Sequence, residues 1–294
     1  MTYQPKPRWL KRKLPSGPEY ERIRHLIKQQ CLSTVCQEAM CPNQFECFGK
    51  GAATFMILGD HCSRNCRFCA VAHGPKGLPD AREPERVAEA VQAMELSYCV
   101  ITSVTRDDLA DGGAAHFAAT IQAIRELNPA TLVEVLIPDF QGNIDALQCV
   151  LAARPEVLNH NLETVASLYQ TVRPQADYQQ SLEVLRQSKA LAPEIVTKCG
   201  IMVGLGERRE EIVHLMQDLR AVHCDILTIG QYLQPSTSHL EVVRYLPPEE
   251  FAELEEEALG LGFGGVAAAP FVRSSYQAED LFRRAQNAGG AGRA

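Results

Sequence analysis

From residue 54 onward, short β-branched or apolar runs alternate with longer stretches whose apolar positions recur every three to four residues. The runs predict strands at 54–58, 98–104, 132–138, 157–161, 196–204 and 226–232, with 264–272 as a seventh candidate. The stretches between them predict helices at 83–96, 114–127, 143–153, 178–191, 208–222 and 248–261. The last of these opens on Pro248, near the first helical position, where a missing N–H leaves no bond unmade. Strand and helix in strict alternation imply a parallel sheet with helices outside it, and six or seven such units suit a closed or partly closed barrel better than an open sheet. The expected fold class is α/β: a partial (β/α)6-type TIM-like barrel over residues 51–262, with an N-terminal extension (1–50) and a C-terminal extension (263–294). Such barrels keep their chemistry on the rim at the strands' carboxyl ends, where Pro138, Gly204, Gly206 and Pro235 mark loops.

Composition narrows this little. The chain has 294 residues, 46% hydrophobic and 22% charged, with a formal charge of −7, all ordinary for a cored protein. No run approaches the roughly 18 consecutive apolar residues of a membrane span, and no apolar segment follows the N-terminal charges. A cytoplasmic protein without a membrane partner is expected. Charge is distributed unevenly: residues 1–30 hold eight Lys/Arg against two acids, leaving −13 on the remainder. A basic arm, Lys6–Lys13 with Trp9 in it, therefore sits on an acidic body that would repel phosphate, so no nucleic-acid partner is expected. The arm reads either as a dock for an acidic protein or as a solvated tail.

The cysteines change the picture most. Seven of the 11 fall between positions 31 and 69. An odd number in a chain with no signal peptide argues against a disulfide framework and for metal chemistry. Cys62, Cys66 and Cys69 form a C-x3-C-x2-C triad directly after the first predicted strand, and Cys36, Cys41 and Cys47 form a C-x4-C-x5-C triad upstream. Thiolates select zinc, copper(I) or iron–sulfur clusters, and three of them on a four-iron cluster leave one iron open to bind and activate a ligand. The other reading is a pair of Cys3His zinc sites, with His61 or His73 completing one, although only Cys66 and Cys69 make the C-x2-C pair usual in zinc ribbons. Cys31 is a seventh ligand or a free thiol; Cys99, Cys149, Cys199 and Cys224 lie on apolar faces and read as core.

The C-x3-C-x2-C triad after the first strand resembles the signature of the radical S-adenosylmethionine superfamily. Together with the upstream triad and the C-terminal Arg273-Ser274-Ser275-Tyr276, it resembles the lipoyl synthase family. The likeness extends through Gly17-Pro18-Glu19-Tyr20, the run from Thr102 to Gly113, Glu134–Phe140, His160–Val165, Val203–Glu207 and Gln231–Ser236. It implies two [4Fe–4S] clusters and S-adenosylmethionine as cofactors. Cys62, Cys66 and Cys69 would ligate the cluster at which S-adenosylmethionine is cleaved to methionine and a 5′-deoxyadenosyl radical. Cys36, Cys41 and Cys47 would hold an auxiliary cluster, its fourth iron on Ser275, with Ser274 the second choice. The auxiliary cluster would be consumed as the source of two sulfur atoms, inserted at C6 and C8 of an octanoyl chain. That chain is borne on a lysine of a lipoyl carrier domain, in 2-oxoacid dehydrogenase E2 subunits or the glycine cleavage H protein, and a ferredoxin or flavodoxin would supply electrons. Without the triads, the Arg273–Tyr276 segment would read as a strand end leading into a helix cap.

Further residues toward S-adenosylmethionine follow from the resemblance and from barrel logic. Asn161, Glu163 and Arg173 lie at or beyond a strand end, where ribose or carboxylate could be held, and Thr105 and Lys198 are pocket candidates. Gly204 belongs to a glycine-containing strand similar to the superfamily's adenine-side strand, with Met202 where isoleucine is usual. A strand followed by a tight glycine turn explains those residues equally well. Family members commonly read Lys-Ser-Gly where this chain has Lys198-Cys199-Gly200, an exchange of one small residue for another.

Overall fold

Eight strands form one sheet in the computed structural model, which describes residues 6–11, 17–74 and 77–291. Arg12 and Lys13 of the basic arm thus lie outside the described residues. In spatial order the strands are β1 (Ser33–Thr34), β2 (Thr54–Ile57), β5 (Tyr98–Ser103), β6 (Leu132–Leu136), β7 (Val157–Asn159), β8 (Val196–Val203), β9 (Ile226–Gln231) and β10 (Gly265–Ala268). All neighbours pair in parallel except β1, which runs antiparallel to β2. The short strands β3 (His61–Cys62) and β4 (Ala72–His73) make a separate pair. Among the described residues no pairing joins β1 to β10, so the barrel is partial, and the sheet draws one strand from each side of residues 51–262.

Every residue of β2 and of β9 is buried, which is the burial of strands covered on both faces, by helices outside and by side chains inside. The covering helices are Glu83–Ala93, Ala114–Leu127, Ile144–Ala152, Tyr178–Leu191, Arg209–Ala221 and Pro248–Gly260. Their starts have local causes. Asn143 Oδ1 accepts from Ala146 N at 3.1 Å, and Asp177 Oδ1 from Gln180 N at 2.8 Å, each satisfying an end N–H that the helix leaves open.

Two segments finish the barrel. The helix Ala278–Ala291 sets Leu281 and Ala285 against Ile226, and Phe282 lies 6.1 Å from the Tyr98 ring. Ile226 and Tyr98 begin β9 and β5, so this helix closes the amino-terminal end of the barrel. Between β10 and that helix, residues 269–277 span the open side. Asn43 Nδ2 donates to Phe271 O at 2.7 Å and the Tyr276 hydroxyl to Glu46 Oε1 at 3.3 Å, tying the segment to the N-terminal extension.

Candidate active site

A cavity of about 540 Å³ opens at the carboxyl ends of the strands and reaches into the barrel as far as Thr102, Asn159, Gly200 and Thr228. Cys62, Cys66 and Cys69 line it from one side, Cys36 and Cys41 from another, and Ser274 and Ser275 from the C-terminal segment. Cys47, on the helix Gln44–Gly49, does not line the cavity but is near enough to Cys36 to add to the charge repulsion on its thiol.

The Cys62–Cys69 loop is pinned at several points. Ser63 N donates to Thr105 O at 2.8 Å, Arg67 N to Val172 O at 3.0 Å, and Leu240 N to Arg67 O at 3.1 Å. Arg64, between two of the cysteines, forks onto both Asp107 and Asp139. Phe68 packs against Val172, Leu205 and Tyr232. The upstream triad is held by local turns: Thr34 caps the short helix bearing Cys36, Cys41 N donates to Cys36 O at 3.2 Å, and Cys47 N to Asn43 O at 2.9 Å.

The donor sets fit iron–sulfur clusters. Burial pushes the Cys36 and Cys69 thiols up to about 12 and raises Cys66, and in each triad the sulfurs repel one another. Thiols so reluctant to ionise become ligands only where a cation compensates. In each triad the sulfurs lie within electrostatic reach of one another, which suits a cluster, whose cysteines bind separate irons. The two histidines of the zinc reading are placed poorly for it, His61 being paired with Asp60 at 2.6 Å and His73 exposed.

Beside Cys66 stands a polar group able to hold a zwitterion. Arg173 Nη1 donates to the Asn161 and Leu162 carbonyls at 2.9 and 3.2 Å, its guanidinium lies over the Tyr169 ring, and its Nε is buried without a partner. Asn161 Nδ2 donates to Glu163 Oε1 at 2.9 Å and to Ser274 Oγ at 2.6 Å. Burial raises the Glu163 carboxyl against the pull of Arg173 and Asn161.

The sequence-derived candidates separate accordingly. Thr105, Asn161, Glu163, Arg173 and Ser275 line the cavity. Lys198 does not: its ammonium is buried against Glu134 Oε1 at 2.8 Å, beneath the cavity. Gly204 is also off the wall, in a turn at φ +97° where a Cβ would strike Gln231 and Arg244 O. Cys99, Cys199 and Cys224 are buried as expected, Cys149 is half-buried, and Cys31 is exposed. Sequence reasoning missed Arg64 and Asp139, whose pairing joins positions 75 apart, and the role of Gly230. Gly200 and Gly230 sit on adjacent strands under the C-terminal segment. A Cβ on Gly200 would lie 2.6 Å from Ser274 Oγ, and one on Gly230 would strike Val272 O.

The profile of the Radical SAM superfamily matches residues 56–219. The lipoyl synthase of Desulfotalea psychrophila is 63% identical over 281 residues, covering 96% of this chain and 94% of that protein. The chain belongs to the lipoyl synthase family. The Thermus thermophilus lipoyl synthase is 55% identical over 95% of this chain and 87% of its own length. Among solved structures, HydG, a maturase of the [FeFe]-hydrogenase, aligns with a TM-score of 0.59 at 14% identity over 78% of this chain and 54% of its own, a likeness of fold alone. Membership makes the chain a sulfurtransferase with S-adenosylmethionine and [4Fe–4S] clusters as cofactors and a lipoyl carrier as substrate. No described helix is long and apolar enough to cross a membrane.

Proposed function

We propose that Cys62, Cys66 and Cys69 hold the cluster that binds S-adenosylmethionine, and that Cys36, Cys41 and Cys47 with Ser275 hold the cluster that yields sulfur. The reaction is insertion of two sulfur atoms at C6 and C8 of an octanoyl chain on a carrier lysine. One observation carries the assignment: residues of both triads and the Arg273–Tyr276 segment face a single cavity, so a chain entering it meets both sites. When bound, the first cluster with S-adenosylmethionine supplies the radical chemistry, and the second supplies sulfide.

The chain's own residues bind, orient and exclude water. Arg173 and Glu163, of opposite charge, fit the carboxylate and the ammonium or hydroxyl groups of S-adenosylmethionine, and Asn161 links them to Ser274. Ser274 is thereby engaged, whereas Ser275 makes no side-chain hydrogen bond among the described residues, which favours Ser275 as the oxygen ligand. Val100, Val104, Leu136 and Ile137 give the cavity an apolar wall suited to an alkyl chain and hostile to water. Residues 1–50 and 263–294 then act together as the auxiliary site on the barrel of 51–262. Lys6 of the basic arm reaches the cavity wall, which supports the arm as a dock for acidic carrier domains, E2 subunits or the glycine cleavage H protein. A ferredoxin or flavodoxin serves as reductant, and the cytoplasm as compartment.

Anaerobically reconstituted protein should hold about eight irons and eight sulfides per chain and thiolate an octanoyl-lysyl peptide. About two zincs and no iron would overturn the assignment.

A further inference from the structure

His160, one residue beyond the carboxyl end of β7, is only 1% exposed and forms part of the cavity wall. Its Nδ1 lies 2.9 Å from Ile137 O. A carbonyl can only accept, so Nδ1 carries the proton and donates, and in the neutral ring Nε2 is left as a lone-pair acceptor. Nothing among the described residues bonds Nε2, although it is buried. Burial and the Arg173 guanidinium oppose protonation more than Asp139 and Ile137 O favour it, which holds the ring at about 4, so Nε2 stays an acceptor at neutral pH.

The flanking residues share this character. Asn159 commits its amide N–H to Glu134 Oε1 at 3.2 Å, and Asn161 commits its own to Glu163 and Ser274. Both leave Oδ1 buried and without a partner. Three consecutive cavity-lining residues thus each keep one acceptor unbonded, and buried polar atoms are rarely left so unless a ligand completes them.

We propose that His160 Nε2 is a binding contact for S-adenosylmethionine, accepting an N–H or O–H of that molecule. The proposal rests on the cluster assignment above. The choice of ligand follows from donor supply and position. S-adenosylmethionine offers an ammonium, two ribose hydroxyls and an adenine amine, whereas the octanoyl-lysine offers one amide N–H. His160 also lies within electrostatic reach of Arg173, which acts likewise on Cys66, and of Asp139, which grips the cysteine loop through Arg64. Contact with a cluster sulfide is unsuitable, because the neutral ring has no proton on Nε2 to give.

The test compares wild type, His160→Asn and His160→Gln, all cluster-loaded, by equilibrium dialysis against S-adenosylmethionine and by iron and sulfide content. Asparagine keeps an N–H near Nδ1, able to hold Ile137 O, and removes the Nε2 acceptor; glutamine places an amide oxygen near Nε2. The expected result is S-adenosylmethionine binding weaker by about tenfold in His160→Asn, partly restored in His160→Gln, at unchanged iron content. Unchanged affinity in His160→Asn overturns the proposal, and a raised KM for octanoyl peptide alongside it assigns the nitrogen to the acyl amide. Failure of both variants to take up iron places His160 in the scaffold and likewise overturns it. A wild-type protein that loads iron but binds no S-adenosylmethionine removes the functional reading itself.

Discussion

Arg64 grips Asp139 through two hydrogen bonds, Nη1 to Oδ2 at 2.7 Å and Nη2 to Oδ1 at 2.6 Å, and uses Nε and Nη2 on Asp107 at 2.7 and 2.9 Å. One guanidinium thus locks the cysteine loop to the segments after β5 and β6. Burial pushes the Asp139 carboxyl up, but the arginine outweighs it and holds the group down at about 2. Asp139→Ala leaves Arg64 paired with Asp107 but its buried Nη1 without a partner, so it should lower unfolding free energy by about 1–3 kcal/mol. Arg64→Lys, with a point charge in place of a fork, should lose part of that and take up less iron at the Cys62–Cys69 site. Urea titration and iron analysis check both, and a wild-type midpoint in Asp139→Ala would refute the clamp.

Gly230 and Gly200 floor the groove in which Val272–Ser274 lies, because any Cβ there meets that segment. Gly230→Ala should push the segment off the sheet at about 1–3 kcal/mol, an overpacking cost. The expected enzymatic signature is selective: S-adenosylmethionine cleavage persists while sulfur insertion falls steeply. A product assay that finds the two activities falling together would detach the segment from sulfur supply.

The two triads should separate by function. Cys62→Ala should lose about four irons and all S-adenosylmethionine cleavage, while Cys41→Ala should lose about four irons, keep cleavage and form no thiolated product. Ser275→Ala should resemble Cys41→Ala more closely than Ser274→Ala does. Thiolation by Cys41→Ala at the wild-type level would contradict the auxiliary assignment.

What was legible in the sequence is what is encoded locally. Strands and helices follow from apolar periodicity, and each cysteine triad sits within 12 residues, so spacing alone exposes it. The pairing of Arg64 with Asp139 and the seating of Ser274 on Gly200 are products of topology, joining separate βα units, and nothing in the local pattern of either partner announces them. Lys198 misled for the same reason: a lysine entering a barrel strand has the same sequence context whether it faces ligand or a carboxylate two strands away in the sheet, on β6. The helix Ala278–Ala291 had a readable signal, with Ala278, Leu281, Phe282 and Ala285 at helical spacing and all buried.

His160 gives the fold a pH dependence of known sign. Its ring has an ordinary pKa of 6.5 and about 4 in the fold, chiefly through burial and then Arg173. As pH falls from 6.5 toward 4, the unfolded chain takes up a proton that the folded one refuses, so stability falls through that window and this contribution levels off below it. The total is about 3 kcal/mol. Urea midpoints between pH 7 and pH 4.5 should show this slope in wild type and a shallower one in His160→Asn; equal slopes would remove His160 as the cause.

Lys198 and Glu134 provide the sharpest separation of structure from cofactor binding. The lysine ammonium lies 2.8 and 3.1 Å from the two carboxylate oxygens, and neither side chain is exposed. Glu134 also accepts from the Tyr98 hydroxyl at 2.7 Å and from Asn159 Nδ2 at 3.2 Å. Lys198→Met should therefore cost about 3–5 kcal/mol by stranding the carboxylate. Lys198→Met with Glu134→Leu removes both charges but orphans the Tyr98 hydroxyl and the Asn159 amide, each worth about 1–3 kcal/mol, so it should recover only part. Adding Tyr98→Phe should recover more. In Lys198→Met itself the affinity of cluster-loaded protein for S-adenosylmethionine should stay within about twofold of wild type, since the ammonium is spent on Glu134 below the cavity; a loss of about tenfold or more would return this lysine to the cofactor site.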